Sequence, residues 1–209
     1  MIDKIDHIVY AVPDLASGIS NIETLLGVKA FSGGRHQDHG THNALIRIGL
    51  SSYLEIIAPD PSNKNHTSDR WMGVDLINKI PRITRWAIKS KVDSPHLAIL
   101  HHYNPELSMA ADGARIKPDG KLLSWKLSLP LSQPMVECCP FIIEWPYGIH
   151  PVNSLPMDCQ LADIKVITSD TQRLSKVSAA FGLDLKIESG IEDQIIVTLQ
   201  CPNGRVVLS

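Results

Sequence analysis

Side chains that could clamp an anion or move a proton are concentrated in one short segment, residues 33–43. Glycines at positions 33, 34 and 40 give this segment conformational freedom. One interpretation is a lid in which Arg35 binds a carboxylate while His42 or His36 transfers a proton. In that interpretation His36 and Asn43 contact the substrate. The alternative is a solvated hairpin loop that is simply rich in polar residues.

A second set of candidates lies further along the chain. Trp86, Trp125 and Trp145 fall on predicted strands, where they either stack on a planar substrate or fill a core. Arg115 either holds an anionic group or lies on the surface, and His150 follows a strand at the expected rim of a pocket. We take four of these residues as candidate substrate-binding residues: Trp86, Trp125, Arg115 and His150.

Several classes of function are disfavoured by the sequence as a whole. It contains no catalytic serine–histidine–aspartate order, phosphate-cradling loop or dinucleotide fingerprint, so no nucleotide cofactor is expected. The 209-residue chain has a net charge of −2 with both signs scattered, which disfavours nucleic acid as a partner. Apolar runs stay far below the ~20 residues of a membrane helix, so no membrane partner is expected. The first residues lack the layout of a signal peptide, and a cytoplasmic location is predicted.

The cysteines are four: Cys138, Cys139, Cys159 and Cys201. The adjacent pair cannot easily form a bridge within itself, and the paired spacing of a zinc site is missing. We therefore expect all four to be reduced and mostly buried.

The elements that position these residues repeat along the chain. Each unit has the order strand, helix and three strands, and the units are residues 1–60, 81–152 and 157–209. A connector with a short helix around Trp71–Ile77 occupies residues 61–80. One such unit leaves a face of its sheet exposed. We therefore expect an α+β fold in which β-α-β-β-β modules form a cupped, barrel-like mixed sheet with helices outside.

Local signals support the units. In the first, Asp14 is placed to cap the helix and Gly27 to end it. Residues 25–28 align with residues 180–183 of the third unit, so the same helix end recurs. The cup between two paired units is the natural place for a small-molecule site.

Stretches spread over residues 1–151 also carry a family resemblance. They include Asp6-His7-Ile8-Val9, Tyr53-Leu54-Glu55-Ile56-Ile57, Arg115-Ile116-Lys117-Pro118-Asp119-Gly120 and Pro140-Phe141-Ile142-Ile143-Glu144-Trp145. The chain resembles the vicinal oxygen chelate superfamily, which includes glyoxalase I, extradiol dioxygenases and fosfomycin-resistance proteins. More narrowly, it is similar to the glyoxalase-like domain subfamily. The resemblance does not fix a reaction, since the superfamily spans isomerisation, ring cleavage, thiol addition and metal-free binding.

The resemblance implies one divalent metal ion, such as Zn, Ni, Mn or Fe, held by the first and last strands of paired units. His7 and Glu55 match these positions in the first unit, and Glu144 matches the closing strand of the second. Because side chains alternate along a strand, His7 shares its face with Val9 and Ala11. The usual fourth ligand is missing. If Glu144 is not a ligand, it is a candidate general base.

Two functions remain open from the sequence. The first is a metal-dependent enzyme of lyase, isomerase or dioxygenase type that acts on a small substrate with vicinal oxygens. The second is a metal-free protein that binds or sequesters a small molecule in the same cup, which the missing ligand favours. The third unit has no partner unit in the chain, and its open edge or face could form a homodimer.

Overall fold

The structure is a computed structural model that describes residues 2–209. Its helices are α1 (Leu15–Leu26), α2 (Ser94–Tyr103) and α3 (Thr171–Ala180). The strands up to residue 59 are β1 (Ile5–Ala11), β2 (Phe31–His36), β3 (Thr41–Arg47) and β4 (Tyr53–Pro59). The next four are β5 (Arg82–Lys89), β6 (Ala110–Ile116), β7 (Leu122–Ser128) and β8 (Phe141–Glu144). The last four are β9 (Gln160–Thr168), β10 (Lys186–Ser189), β11 (Gln194–Cys201) and β12 (Gly204–Leu208).

The first eight strands close into a barrel in the order β1-β4-β3-β2-β6-β7-β8-β5. Strands β1–β4 form one half of the barrel and β5–β8 the other. The halves join where β1 pairs antiparallel with β5 and where β2 meets β6 at Arg35 and Ile116. The predicted α+β fold, a curled mixed sheet around a cup with helices outside, is confirmed.

Alternation of side chains separates the inside of the barrel from its outside. On β1, Val9 and Ala11 join the inner apolar cluster, whereas Ile8 joins the outer cluster against α1. The predicted ends of α1 are also confirmed. Asp14 accepts a hydrogen bond from the first turn, and Gly27 follows the last residue in the left-handed conformation, with φ of 74°.

Two β-bulges interrupt this alternation beside the cup. The register of β1 with β5 shifts between residues 5 and 7, so Asp6 is an extra residue. The register of β2 with β3 shifts between residues 32 and 34, so Gly33 is an extra residue. A bulge bends its strand and re-aims a side chain, and both bulges therefore affect which groups reach the inside of the barrel.

The third unit repeats the order of elements but not the order of strands. In the first half of the barrel β1 pairs with the fourth strand, whereas here β9 pairs with β10 and β11, giving the order β10-β9-β11-β12. Strand β10 has only four residues and is largely exposed, whereas β11 is long enough to pair along nearly all of β9. The third unit thus follows the expected order of elements, but its strands are arranged differently from those of the first unit.

The connector and two cysteines also differ from expectation. Residues 71–77 form turns instead of a helix, because Met72 (φ 58°) and Gly73 (φ 69°) adopt left-handed conformations that a right-handed helix excludes. Cys159 and Cys201 form a disulfide between the ends of β9 and β11, so the expectation of reduced thiols is wrong for this pair. Disulfides are rare in the cytosol, and the cytoplasmic location stays a prediction. Within residues 2–209, no helix is long and apolar enough to span a membrane.

Candidate functional site

The cup is a narrow space inside the barrel with aromatic walls and a polar centre. Its free volume is about 10 Å³, which is room for about one water molecule. The walls come from both halves of the barrel and from the connector that follows β4. The lining residues are His7, His36, Tyr53, Glu55, Trp71, Met72, Arg115, Trp125, Leu127, Phe141, Ile143 and Trp145.

A fully buried carboxylate, Asp6, holds His7 at the edge of this space. Three ring nitrogens donate hydrogen bonds to Asp6: His7 Nδ1 (2.7 Å), Trp145 Nε1 (3.0 Å) and His150 Nε2 (3.1 Å). Burial raises the pKa of Asp6, but the hydrogen bonds from His150 and His7 outweigh it and lower that pKa to about 2. Asp6 is therefore ionised, and it fixes the tautomer in which His7 leaves Nε2 facing the cup.

Glu55 and Arg115 form the charged centre of the cup, with Asn43 between them. Asn43 Nδ2 donates to Glu55 Oε1 at 2.5 Å, and Arg115 Nη1 donates to Asn43 Oδ1 at 3.3 Å. Glu55 Oε2 lies 3.5 Å from His7 Nε2. The extra residue of the second bulge makes room for this arrangement, since a Cβ on Gly33 would overlap Asn43 and lie 2.7 Å from Arg115 Nη1.

His36 adds a neutral hydrogen-bond donor. Trp71 Nε1 donates to Thr41 Oγ1 at 3.0 Å, and the same hydroxyl shares a hydrogen bond with His36 Nδ1 at 3.1 Å. Burial, followed by the charge of Arg115, lowers the pKa of His36 well below its ordinary value of 6.5. The ring is therefore neutral, and it packs edge-to-face with Trp125 at a centroid distance of 5.9 Å.

Most of the residues proposed from the sequence lie together. His7 and Glu55 face the cup from adjacent strands, as the alternation of β1 and β4 predicts. The predicted substrate-binding residues at the cup are His36, Asn43, Arg115 and Trp125, with His150 at the rim through its bond to Asp6. Their roles stay predictions, but the structure brings these side chains within reach of one ligand.

Arg35 and His42 lie outside the barrel. Residues 33–36 and 41–43 belong to strands, joined by a short turn, so there is no free lid between them. Alternation then sends His36 inward and Arg35 outward, where Arg35 pairs with Asp60 at 2.5 Å and contacts Ser62. Burial lowers the pKa of His42 on the same outer face. The structure therefore does not bring these two candidate catalytic residues to the cup.

Trp86 and Glu144 also lie away from the cup centre. Trp86 is fully buried in the outer cluster, and its Nε1 donates to the carbonyl of Cys138 at 2.8 Å. Glu144 alternates with Ile143, which faces the cup, and Glu144 accepts a hydrogen bond from the Val92 amide at 2.9 Å. Glu144 is consequently not placed to share a metal ion with the first half of the barrel.

The remaining donors do not complete the metal site that the resemblance implies. His7 pairs with Tyr53, two residues before Glu55, on adjacent parallel strands. In the other half Ala87 pairs with Phe141, two residues before Ile143, so the matching positions carry no donor atoms. Within residues 2–209 no group of three or more histidine, cysteine, aspartate or glutamate side chains is placed to hold a metal ion.

Two contributors were missed by the sequence reasoning. Asp6 received no role in the sequence analysis, and strict alternation, which takes no account of a bulge, would place it on the face away from His7. Trp71 was assigned to a connector helix, yet it closes one side of the cup and stacks on His39 at 3.7 Å. The signal available for Asp6 in the sequence was an acidic residue directly before a candidate histidine at the start of an apolar strand.

Comparisons with known proteins agree with the architecture. A family model described as a glyoxalase-like domain matches residues 5–181. A hypothetical protein from Staphylococcus aureus has a similar fold, with a TM-score of 0.65 and 15% identity over 93% of this chain and 90% of that one. Methylmalonyl-CoA epimerase from Mycobacterium tuberculosis has a TM-score of 0.41 and 18% identity over 69% of this chain and 89% of that one. No curated protein matches the chain.

Proposed function

Since this chain belongs to the glyoxalase-like domain family, we propose that its cup binds a small planar anion with vicinal oxygens and moves a proton on it. His7 is the acid–base group, Asp6 orients it, and Arg115 binds the anionic end of the ligand. The observation that carries the proposal is a buried arginine without a carboxylate partner, beside an oriented histidine, in an aromatic cup.

Arg115 supports the anionic character of the ligand. Its side chain is 5% exposed, and within residues 2–209 it makes one hydrogen bond, to the Asn43 amide oxygen, while its Nε has no partner. Burial of a guanidinium that no carboxylate contacts directly costs free energy, on the order of several kcal/mol for the desolvation of one ion, and Glu55 lies on the far side of Asn43. A carboxylate or an enolate oxygen would offset that cost with charge-assisted hydrogen bonds.

The aromatic walls support a planar ligand body. Trp125 and Phe141 face the cup from the second half of the barrel, and Tyr53 stacks on the His7 ring at a centroid distance of 4.8 Å. Rings that line a dry space favour flat apolar groups by stacking and by burial of area. Because the free volume is about 10 Å³, binding also requires a side chain at the wall to move.

The chemical step follows from the orientation of His7. Neutral His7 accepts a proton at Nε2 from a carbon next to a carbonyl group, and the electron pair of that C–H bond moves onto the carbonyl oxygen. Arg115 lies in the same cup and stabilises the enolate oxygen, and His36 adds a hydrogen bond in the tautomer that carries its proton on Nε2. Glu55, 3.5 Å from Nε2, stabilises the imidazolium until the proton returns to carbon.

A second candidate is the metal-dependent enzyme that the resemblance implies. Its support is that His7 Nε2 and Glu55 Oε2 face one space only 3.5 Å apart. Such a pair could hold a divalent ion only with further ligands, and the matching positions of the other half are Ala87 and Ile143. The donor set therefore favours proton transfer by side chains. Titration of the protein with divalent ions tests the metal-dependent alternative.

The test uses phenylpyruvate, a planar 2-oxo acid with an exchangeable C–H. Tryptophan fluorescence reports binding, because three tryptophans line the cup, and deuterium uptake at C3 in D₂O reports proton transfer. We expect Arg115→Met to weaken binding about 100-fold, the loss of one buried charge-assisted contact. We expect His7→Gln to abolish catalysed exchange while binding falls less than about tenfold.

Each alternative has its own outcome in this experiment. Wild-type protein that binds phenylpyruvate without accelerating exchange would support the binding or sequestering function instead of the enzyme. Exchange that appears only after addition of Zn²⁺, Ni²⁺, Mn²⁺ or Fe²⁺ would support the metal-dependent enzyme. Absence of binding, or binding unchanged in Arg115→Met, would overturn the proposal. Lys64→Met, which removes an exposed amine away from the cup, is the matched control.

A further inference from the structure

The barrel wall has a gap between β7 and β8. These strands pair at only two positions, Lys126 with Glu144 and Leu127 with Ile143, whereas β7 pairs with β6 along its full length. Strand β8 ends at Glu144, so residues 122–125 of β7 have no strand beside them on that side within the described chain. Side chains instead of a backbone ladder close the wall here.

Two indoles fill this gap. Trp125 of β7 and Trp145, the residue after β8, lie with ring centroids 5.1 Å apart. Both line the cup, and both line a second pocket of about 290 Å³ on the outside of the barrel. The outer pocket also contains Asp112, Ser124, Lys126, Glu144 and Pro146. The inner and outer spaces are thus separated by one layer of tryptophan.

Trp145 is the movable member of the pair. It is half-buried, lies outside any strand and is held by a hydrogen bond from Nε1 to Asp6 Oδ2 at 3.0 Å. Trp125 is 7% exposed and is fixed within β7 against Gly113, where a Cβ would overlap its ring. The Trp145 ring otherwise packs against Trp125 and His150, and Asp6 keeps its two histidine donors when the bond to Trp145 opens.

We propose that this gap is the entrance to the cup, that Trp145 is its gate, and that the outer pocket is a subsite for the outer end of an elongated ligand. The inner free volume is too small for a ligand, whereas the two spaces joined reach the ~300 Å³ at which ligand pockets begin. The assignment of an anionic group to the inner end of the ligand rests on the proposed function. The position of the entrance does not rest on it.

The charges of the outer pocket define what it accepts. Two carboxylates, Asp112 and Glu144, face one amine, Lys126, so the pocket is net negative. A second anion is disfavoured there, and a neutral polar or cationic group is favoured. The ligand class is therefore a flat molecule with an anionic end at Arg115 and an amide, hydroxyl or amine at the other end.

Thiol labelling tests the entrance without any knowledge of the ligand. Leu127→Cys places a thiol in the cup, and the parent chain gives the background from the buried Cys138 and Cys139. We expect Trp145→Ala to raise the rate of labelling by a methanethiosulfonate reagent at least tenfold. Trp145→Phe, which keeps most of the bulk but loses the bond to Asp6, should raise it less.

Met72→Ala is the matched control, because Met72 lines the cup from the connector side. Acceleration by Met72→Ala without acceleration by Trp145→Ala would place the entrance at the connector and overturn the proposal. An unchanged rate in both variants would overturn it as well. Neither outcome depends on phenylpyruvate, so failure of the entrance and failure of the proposed function are distinguishable.

Reagent charge tests the subsite. In Trp145→Ala, the sulfonate-bearing and trimethylammonium-bearing methanethiosulfonates have similar size and opposite charge. We expect Asp112→Asn combined with Glu144→Gln to raise the rate ratio of anionic to cationic reagent at least threefold at low salt. An unchanged ratio would show that the reagents do not pass these carboxylates and would overturn the assignment of the outer pocket.

Discussion

The two halves of the barrel have the same strand order but line the cup with different chemistry. The half formed by β1–β4 supplies His7, Asn43 and Glu55, whereas the matching positions on β5 and β8 are Ala87 and Ile143. Tyr53, the partner of His7, and Phe141, the partner of Ala87, occupy matching positions in the two halves. They differ by one hydroxyl group. In the proposed function, the first half supplies the acid–base group, and the second half supplies Arg115 and much of the aromatic wall.

This difference explains where the energetic cost of the site lies. Buried polar groups destabilise a fold unless they are hydrogen-bonded. The first half meets that condition through chains of contacts, from His150 through Asp6 to His7 and from Glu55 to Asn43. Among the described residues that line the cup, Arg115, contributed by the second half, is the one with a buried side-chain atom, Nε, that has no partner. The unsatisfied group therefore marks the place that a ligand would complete.

The largest expected effect comes from removing the charge that organises the polar half. Three ring N–H groups donate to the Asp6 carboxylate. In Asp6→Asn the new amide N–H faces at least one of these donors, so both N–H groups are buried without an acceptor. We expect the free energy of unfolding to fall by about 3 kcal/mol, measured by urea denaturation. Asp163→Asn, which breaks a partly exposed pair with Lys186, should cost less than about 1 kcal/mol. Equal losses in the two variants would contradict the role of Asp6.

The pH dependence of stability sharpens the same contrast. The pKa of Asp6 is lowered from 3.8 to about 2 in the folded protein, so folding favours the ionised form. Its contribution, about 2 kcal/mol, is present above pH 4 and is lost as the pH falls through 2. Urea denaturation between pH 5 and 2 should show this loss in wild-type protein. Asp6→Asn should lack it, and parallel curves for the two proteins would contradict the prediction.

A smaller effect is expected at the bulge of β2. A Cβ on Gly33 would displace Asn43 and the Arg115 guanidinium, so Gly33→Ala should weaken phenylpyruvate binding about tenfold, or 1.4 kcal/mol. Gly49→Ala is the control, because its Cβ meets only the Ser52 hydroxyl in the turn before β4. If both variants bind as wild type does, the close approach at residue 33 does not position the site.

The smallest effect is expected from metal ions, which should neither bind stoichiometrically nor stabilise the protein. This experiment tests whether the second half of the barrel lacks metal ligands. After exposure to Zn²⁺, Ni²⁺, Mn²⁺ or Fe²⁺ and desalting, elemental analysis should find far less than one ion per chain. The thermal midpoint should shift little, since a tightly bound ion stabilises by several kcal/mol when in excess. A stoichiometric ion that is lost in His7→Ala would restore the metal-dependent enzyme as the leading function.

Local rules predict much of this molecule correctly. Strand alternation placed His7, Val9 and Ala11 on one face, and capping chemistry placed the ends of α1 at Asp14 and Gly27. The same rules fail at Asp6, where one extra residue turns a side chain toward the wrong predicted face. They also fail at Arg35, because a segment with three glycines was predicted to be a loop and two strands formed instead.

Sequence patterns alone predict the order of elements within each unit and the inner faces of β1 and β4, but they miss the turns at residues 71–77 and the strand Phe31–His36. The tertiary structure alone decided that Arg115 reaches Asn43, that Trp145 bonds to Asp6, and that β9 pairs with β10 instead of β12. The physical reason is the separation along the chain between the residues that interact. Periodicity and capping depend on neighbouring residues, whereas pairing, bulge position and contacts 72 or 139 residues apart depend on how the whole barrel closes.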